Sequence, residues 1–231
     1  MTKLSASLLI LLVAVTITES RLPKKFTGNG DVIFILDSSG SVGTSNFLIM
    51  KRFARFITLF FKIGKTLTQV GLDVFSSTVT TEIKLKEFNT CAGCLRAKIL
   101  RAKYKGQNTN TFFALDHARF NSFSTHYGAR IGVPKIAIVM TDGKSQEKDK
   151  TCESAKNLRN SGVIIIVIII GNKVDMEEIQ CIASGPSFIF SVRNFSGLNN
   201  RGFRDRVARK VFSVQGPPGP VGKRGVPAST G

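Results

Sequence analysis

Two kinds of hydrophobic pattern alternate along the chain from residue 31 onward. One kind is a short, uninterrupted apolar run, as in DVIFIL (31–36), KIAIVM (135–140) and VIIIVIII (163–170). Runs of this length are typical of parallel strands that are buried on both faces of a sheet. In the other kind, apolar residues recur at every third or fourth position, which is typical of amphipathic helices.

The helical pattern predicts six helices. They cover residues 46–62, 91–102, 112–122, 149–160, 175–183 and 201–212. In the first of them Ile49, Phe53 and Phe56 recur on one face, and the side chain of Thr44 or Ser45 is predicted to cap its start. The helices separate the apolar runs, as they do in folds built from strand–helix–strand units.

Three more strands complete the predicted sheet. Residues 69–77 and 79–85 are joined by a tight connection, which predicts an antiparallel strand at one edge. A short strand is predicted at 188–192. The predicted fold class is therefore α/β: a doubly wound, mostly parallel, Rossmann-like sheet with one antiparallel edge strand and helices on both faces. In such sheets, ligands bind beyond the carboxyl ends of the strands, where the strand order reverses.

The start of the chain differs in composition from the predicted domain. Residues 1–20 resemble a secretory signal peptide, in which Lys3 is followed by the apolar stretch LLILLVAV and a small-residue cleavage region. A linker is predicted at 21–29, ahead of a domain at 30–214. We therefore expect a secreted, soluble protein, and a signal retained as a membrane anchor is the alternative.

The end of the chain, residues 215–231, is predicted to be a collagen-like stub. Residues 216–227 read GPP GPV GKR GVP, which places glycine at every third position. Glycine at this period is the requirement of a collagen triple helix. Four triplets are too few to hold three chains together unaided, so a linker, a truncated form or a flexible proline-rich tail are the alternatives.

The chain is strongly basic, with a formal net charge of +18 and a pI near 10.2. Such a charge attracts glycosaminoglycans, acidic matrix proteins and other acidic polymers. The signal peptide and the lack of a recognisable binding motif disfavour nucleic acid as the partner. The basic residues are spread over several segments, so a solvated basic surface is the alternative to specific heparin-like binding.

Four cysteines in a secreted chain indicate disulfides, and four cysteines allow three pairings. The simplest pairing joins Cys91 to Cys94 and Cys152 to Cys181. The C-A-G-C segment at a predicted helix start also allows thiol–disulfide exchange, because a helix N-terminus lowers a thiol pKa. Asn194, in the segment Asn-Phe-Ser, is a candidate N-glycosylation site.

Small oxygen-bearing side chains follow two of the predicted strands. Asp37, Ser39 and Ser41 come directly after the first strand, and Asp142 follows the KIAIVM strand. Since both clusters lie at the carboxyl ends of strands, we expect them to share a crevice.

Several kinds of chemistry do not suit these clusters. A serine nucleophile needs a base, but His117 and His126 do not accompany a G-x-S-x-G elbow, and we interpret both histidines as surface or packing residues. Residues 37–43 contain no phosphate-binding glycine pattern. Zinc prefers cysteine and histidine ligands. Hydroxyl and carboxylate oxygens instead suit a hard divalent cation such as Mg²⁺, which keeps waters and can leave a position open.

Three segments taken in order resemble the metal-ion-dependent adhesion site of von Willebrand factor type A domains. They are D-S-S-G-S from Asp37, G-Q-N-T-N-T from Gly106 and T-D-G from Thr141. The resemblance covers about residues 30–214.

The resemblance also implies a set of ion-binding residues. Ser39, Ser41 and Thr109 would contact Mg²⁺ (or Mn²⁺) directly, while Asp37 and Asp142 would hold it through water or hydrogen bonds. Thr111 is a less suitable threonine than Thr109. The chain departs from the family pattern at 112–113, where two phenylalanines stand, and in its C-A-G-C pair and basic charge.

The segments DGKSQ, LRNSGV and EEIQCIAS, together with the tail, resemble the type A modules of collagens, especially collagen VI-like chains. The resemblance implies a secreted extracellular matrix adhesion protein that is not an enzyme. Its expected partners are matrix proteins such as collagens, bound through the divalent cation; its oligomeric state is open, with a homo-oligomer as one alternative. The alternatives are a structural matrix component that assembles through its tail, with an incidental metal site, and a thiol–disulfide exchanger that uses Cys91 and Cys94.

Overall fold

A computed structural model describes residues 25–215 of the chain. The predicted signal peptide at 1–20 and the Gly-x-y triplets at 216–227 lie outside the described residues. Within 25–215, no helix is both long enough and apolar enough to cross a membrane.

A six-stranded sheet forms the centre of the structure. The strands are β1 (Gly30–Asp37), β2 (Thr68–Phe75), β3 (Val79–Ile83), β4 (Lys135–Thr141), β5 (Val163–Ile170) and β6 (Ile189–Val192). They lie in the order β3-β2-β1-β4-β5-β6, and only the edge strand β3 is antiparallel to its neighbour. The predicted fold class is confirmed, including the antiparallel edge.

Six α-helices surround the sheet. They are α1 (Gly43–Ile57), α2 (Ala92–Arg101), α3 (Thr111–His117), α4 (Lys148–Asn160), α5 (Met176–Ile182) and α6 (Arg201–Ser213). The predicted cap of α1 is wrong: Val42 is the N-cap residue, so Thr44 and Ser45 lie inside the first turn. The helix begins early because the amide of Val42 donates to the carbonyl of Ser39, 3.2 Å away, and this turn leads directly into α1.

The alternation of side chains along the strands divides the core into two layers. In β1, Val32, Phe34 and Leu36 belong to one layer, whereas Ile33 and Ile35 belong to the other. Helices α1, α2 and α6 pack on the first layer, and helices α3, α4 and α5 pack on the second. We call these two sides of the molecule the α1/α2/α6 face and the α3/α4/α5 face.

Both disulfides of the structure have the pairing that the sequence analysis favoured. One joins Cys152 to Cys181 and so links α4 to α5. The other joins Cys91 to Cys94 at the start of α2, where the Cys91 sulfur also accepts from the Cys94 amide. The first bridge fixes two helices of the same face to each other.

A buried ion pair joins the start of the sheet to two loops. The Asp31 carboxylate is fully buried, and its Oδ1 accepts from the Arg130 guanidinium at 2.6 Å and 2.8 Å. Arg130 also donates to the carbonyls of Lys65 and Leu67. Burial raises the pKa of Asp31, and the hydrogen bonds and charge of Arg130 oppose that rise.

A second buried carboxylate, Asp73 in β2, has no cation beside it among its hydrogen-bond partners in the described chain. It accepts from the Thr81 hydroxyl at 2.8 Å and from the Ser122 hydroxyl at 2.6 Å. Ser122 lies in a five-residue π-helical turn that follows α3, so α3 ends earlier than predicted. Burial raises the pKa of Asp73 from its ordinary value of 3.8 to about 6, against the lowering effect of the two hydroxyls.

We predict that Arg130→Met lowers the free energy of unfolding by about 3 kcal/mol, because it leaves a buried carboxylate unpaired. Urea denaturation at neutral pH measures the change. Arg52→Met, which removes an exposed arginine of α1, is the matched control and should stay within about 0.5 kcal/mol of the wild type. If both substitutions lowered the free energy of unfolding equally, the Asp31–Arg130 pair would not stabilise the fold.

Asp73 should make the protein less stable as the pH rises. Because its pKa in the folded state, about 6, lies above its ordinary 3.8, the folded state keeps a proton that the unfolded state releases between these values. The stabilisation that Asp73 contributes to folding is therefore complete below about pH 4 and is lost as the pH rises through about 6. The total loss is limited to about 3 kcal/mol.

The substitution Asp73→Asn isolates this contribution. We expect the difference in unfolding free energy between variant and wild type to shift in the variant's favour from pH 4.5 to pH 7, as measured by urea denaturation at both values. Asp149→Asn, at an exposed position in α4, should show no such shift. A pH-independent difference for Asp73→Asn would contradict the assignment.

Candidate metal-ion site

The candidate site lies where the strand order reverses. After β1 the chain continues to β2 on one side of it, whereas β4 pairs with β1 on the other side. Asp37 is the last residue of β1 and Thr141 is the last residue of β4. Both side chains therefore lie at the sheet edge where ligands of doubly wound folds bind.

The Asp37 carboxylate is fully buried and is held by two donors. Its Oδ1 accepts from the Ser39 amide at 2.8 Å, and its Oδ2 accepts from the Thr141 hydroxyl at 2.8 Å. Burial raises the pKa of Asp37 to about 6; hydrogen bonds from Ser39 and Thr141 lower it, and the charge of Asp142 raises it further. A bound cation would relieve the cost of a charge buried with neutral partners.

Three more side chains form a chain of hydrogen bonds beside Asp37. The hydroxyls of Ser39 and Ser41 are 3.2 Å apart, and the Ser41 hydroxyl donates to Asp142 Oδ1 at 2.7 Å. Burial raises the pKa of Asp142, while the bond from Ser41 and the charge of Lys173 lower it. Residues 101 positions apart in the sequence, Ser41 and Asp142, are thus in direct contact.

The loop that carries Thr109 is attached to the serine loop by main-chain hydrogen bonds. The Gly40 amide donates to the Gln107 carbonyl, and the Gly106 amide donates to the Ser38 carbonyl, both at 2.8 Å. Thr109 is only 8% exposed, and its carbonyl accepts from the Gln146 amide at 3.0 Å. The 106–109 loop is therefore bonded through its main chain to the serine loop and to Gln146, which follows the T-D-G segment by three residues.

The Thr109 hydroxyl, unlike those of the two serines, forms no hydrogen bond to another side chain of residues 25–215 in the structure. The neighbouring Thr111 is buried and begins α3. Phe112 and Phe113 follow it within the first turn, with ring centroids 4.2 Å apart. The two phenylalanines therefore do not prevent α3 from starting next to the site.

The donor set fits a hard divalent cation. Its potential ligand atoms are oxygens from two carboxylates, two serines and one threonine, and oxygen donors suit Mg²⁺ or Mn²⁺. Adjacent ligands in an octahedron around Mg²⁺ lie about 3.0 Å apart for metal–oxygen distances of about 2.1 Å. The 3.2 Å between the Ser39 and Ser41 hydroxyls is close to that edge. Among the described residues no group of three or more His, Cys, Asp or Glu forms a metal site of another kind.

Two residues that position the site were not among the predicted ligands. Thr141 holds Asp37 through its hydroxyl, and its place in the T-D-G segment was the available signal. The Tyr104 hydroxyl donates to the Ser39 carbonyl at 3.0 Å. No sequence pattern marks Tyr104, because its contact bridges 65 positions.

The other candidate residues lie outside this cluster of contacts. His117 Nε2 is 2.7 Å from the Thr81 hydroxyl, and its Nδ1 is 3.2 Å from the Asn121 amide. Burial lowers the pKa of His117, and the charge of Lys105 lowers it further. His117 therefore has a packing role within the α3/α4/α5 face and does not serve Ser39 as a base.

Asn194 is exposed, and its Oδ1 accepts from the Ser196 hydroxyl and the Gly197 amide at the start of a short 3₁₀ helix. Glycosylation at this position stays a prediction. Thiol–disulfide exchange stays an alternative; Cys91 and Cys94 are joined to each other by a disulfide in the structure.

Comparison with known families matches this chain to one domain type. The sequence model of the von Willebrand factor type A domain matches residues 31–201. The chain is 37% identical to mouse Matrilin-2 over 175 residues, 74% of this chain and 18% of that protein. It is 34% identical to human Matrilin-1 over 189 residues, 81% of this chain and 37% of that protein.

A collagen is also among the relatives. The chain is 34% identical to the Collagen alpha-1(XII) chain of Notophthalmus viridescens over 191 residues, which are 82% of this chain and 20% of that protein. The chain thus spans between 18% and 37% of the length of the relatives described.

Solved structures of proximal thread matrix protein 1 from the mussel byssus share the fold. One superimposes with a TM-score of 0.74 at 28% identity, covering 80% of this chain and 47% of that chain. Another, at 27% identity and the same TM-score, covers 80% of this chain and 48% of that chain and has a zinc-occupied MIDAS motif.

We predict that Thr141→Val weakens Mn²⁺ binding about 10- to 100-fold, because it removes the hydroxyl that positions Asp37. Isothermal titration calorimetry with Mn²⁺ alone measures the affinity. Thr44→Val, at an exposed position of α1, is the control and should bind as the wild type does. An affinity unchanged by Thr141→Val in a protein that still folds would contradict the ion site.

Proposed function

The chain belongs to the von Willebrand factor type A domain family, and from that membership we propose that it is an extracellular matrix adhesion protein. Its ion site would capture a matrix protein ligand. The observation that carries the proposal is the contact between Ser39, Ser41 and Asp142 beside the buried Asp37. This cluster lies at the sheet edge that is open to a partner, since Ser41 is exposed.

Within this proposal, the five predicted residues have two different tasks. Ser39, Ser41 and Thr109 would supply hydroxyl oxygens to Mg²⁺ or Mn²⁺, and Asp37 and Asp142 would orient those groups and balance the charge. The ion would leave one coordination position for an acidic side chain of the partner. The protein groups are preorganised by main-chain bonds between their loops, which reduces the ordering that binding requires.

The proposal is for binding and not for catalysis. The buried Asp37 already accepts two hydrogen bonds from its own chain, and His117 is bonded to Thr81 and Asn121. These contacts support a rigid ion site over a serine nucleophile with a histidine base. The thiol alternative at Cys91 and Cys94 would instead require turnover of a model disulfide.

A second part of the proposal concerns the basic surface. The net charge of +18 would speed the association with acidic polymers and acidic matrix proteins, and salt would weaken it. Secretion through the segment 1–20 would deliver the protein to such partners. The relatives named Matrilin and Collagen support a place in the matrix.

The Gly-x-y tail at 215–231 is the basis of the rival proposal. In that case the chain would be a structural component that assembles with other chains through its tail, and the metal site would be incidental. Deletion of residues 216–231 would then abolish self-association while Ser39→Ala left ligand capture unchanged. Analytical ultracentrifugation of the two variants, together with a capture assay, separates the two proposals.

We predict that capture of a matrix protein requires both the ion and the Ser39 hydroxyl. A biosensor screen over collagens and acidic matrix proteins should show binding in Mg²⁺ that EDTA abolishes. Ser39→Ala should weaken that binding at least about 10-fold, because it removes a proposed ion ligand. Ser45→Ala, at an exposed position in α1, is the control.

Two results would count against the adhesion mechanism. Ligand capture that continues in EDTA and in Ser39→Ala would remove the ion from it. Loss of capture in high salt alone, with no effect of chelator, would assign binding to the basic surface.

A further inference from the structure

The basic charge of the α-helices is concentrated on one side of the sheet. Helices α1, α2 and α6 together carry eleven basic residues and one acidic residue. Helices α3, α4 and α5 carry four basic and five acidic residues. The α1/α2/α6 face therefore has a net helix charge of +10, and the α3/α4/α5 face has −1.

The three basic helices form one continuous strip with α1 in the middle. Across the α1–α2 contact, the Arg96 guanidinium donates to the hydroxyl and to the carbonyl of Thr58, the residue that follows α1, at 3.1 Å each. Across the α1–α6 contact, the guanidinium of Arg204 lies over the ring of Phe56, 4.3 Å from its centroid. Basic side chains of α2 and α6 thus contact α1 or the residue that follows it.

Few of these charges are neutralised by the described part of the chain. Lys98 pairs with Glu82 at 3.1 Å, and Arg209 pairs with Asp205 at 2.7 Å. The other nine have no carboxylate within 4.0 Å among residues 25–215. These nine are Lys51, Arg52, Arg55, Arg96, Arg101, Arg201, Arg204, Arg206 and Lys210. Repulsion among unpaired like charges destabilises the strip, and a bound polyanion would relieve it.

We propose that the α1/α2/α6 face is a metal-independent binding site for a sulfated linear polysaccharide. The inference rests on the basic surface of the proposed function and adds its location and the chemistry of its ligand. Eight of the eleven basic residues are arginines, whose planar fork of donors suits the tetrahedral oxyanions of such a polymer. Two helix spacings of about 8 to 10 Å each make the strip about 20 Å wide, which suits a chain of several sugars better than a single anion.

An anionic membrane is a less suitable partner for this face. Binding at a lipid surface usually adds insertion of large apolar side chains to charge attraction. On these three helices the only exposed large apolar side chain is Leu48, at 37%. The other exposed ones, such as Phe113 and Phe120 of the opposite face, lie away from the strip.

The strip is separated from the candidate ion site. Ser41 lies just before α1, whereas Arg55 is in its last turn, about 20 Å along the helix at 1.5 Å per residue. A polymer centred on the Arg55 end of the strip would therefore leave the ion site open. Substitutions in the strip should therefore affect polymer binding, and substitutions in the ion site should affect capture of the protein ligand.

A triple substitution with one residue from each helix tests the site. Arg55, Arg101 and Arg206 are exposed, and replacing all three with Gln removes three positive charges from the strip. The control replaces Arg119, Lys150 and Lys156 of the opposite face with Gln and removes the same charge. Binding of a heparin oligosaccharide to the full chain is measured on a biosensor in EDTA over a series of sodium chloride concentrations, with thermal unfolding as the check on folding.

We expect the wild type to bind heparin in EDTA, with log affinity falling linearly with log salt concentration. The strip variant should lose at least about 10-fold in affinity, and its salt slope should become shallower by about 2 to 3, in line with three lost ionic contacts. The control variant should keep the wild-type slope. A desulfated polymer of the same length should bind much more weakly.

Several results would overturn this proposal. Equal losses in the two triple variants would show that the whole basic surface, and not the strip, attracts the polymer. Loss of heparin binding in EDTA would make it dependent on the ion, and binding to phosphatidylserine vesicles without binding to heparin would assign the face to a membrane. Ser39→Ala should bind heparin normally, and the strip variant should still capture its protein ligand in Mg²⁺, so the failure of one proposal is distinct from the failure of the other.

Discussion

The position of the Asp37 carboxylate is the constraint on which the site depends. It is fully buried at the end of the central strand and is held only by neutral donors, the Ser39 amide and the Thr141 hydroxyl. Parallel pairing of Leu36 with Met140 brings β1 and β4 to the same edge. A slip of one residue in that pairing would turn Asp37 towards the opposite face of the sheet. The register of two apolar strands therefore determines whether the polar loops can meet.

The fold also separates charges of opposite sign. A chain with a net charge of +18 would repel a divalent cation unless acidic groups were concentrated around the ion. Asp37 and Asp142 supply that concentration at the sheet edge, close enough for the charge of one to raise the pKa of the other. Most of the unpaired helical basic charge lies on the α1/α2/α6 face, out of contact with them. A cation site at the sheet edge and the proposed polyanion site on the helices can therefore coexist, because the acidic and the basic side chains lie at different places on the fold.

Much of this architecture could be predicted from the sequence, because its strongest signals are local. VIIIVIII is a short run of β-branched residues between Gly162 and Gly171, which predicts a buried strand. Its alternation with helices predicts a parallel sheet and its switch point. Contacts between distant residues could not be predicted in this way. The turn that starts α1 at Val42, the bond from Tyr104 to the serine loop and the role of Thr141 all depend on how loops meet. The one-sided charge was hidden for the same reason, since it appears only when α1, α2 and α6 are assigned to one layer.

The two proposed sites differ in the range of their interactions and in how strongly salt screens them. Together they would bind better than either alone. Charges on an exposed strip act over about 8 to 10 Å at physiological salt, and a higher salt concentration weakens their attraction for a partner. An ion held among buried oxygens is screened much less but acts only in direct contact. A polymer on the strip would hold the protein within a matrix, and the ion site would then meet an acidic protein ligand at a raised effective concentration. In such an arrangement the strip governs how often partners meet, and the ion site governs how long one of them stays.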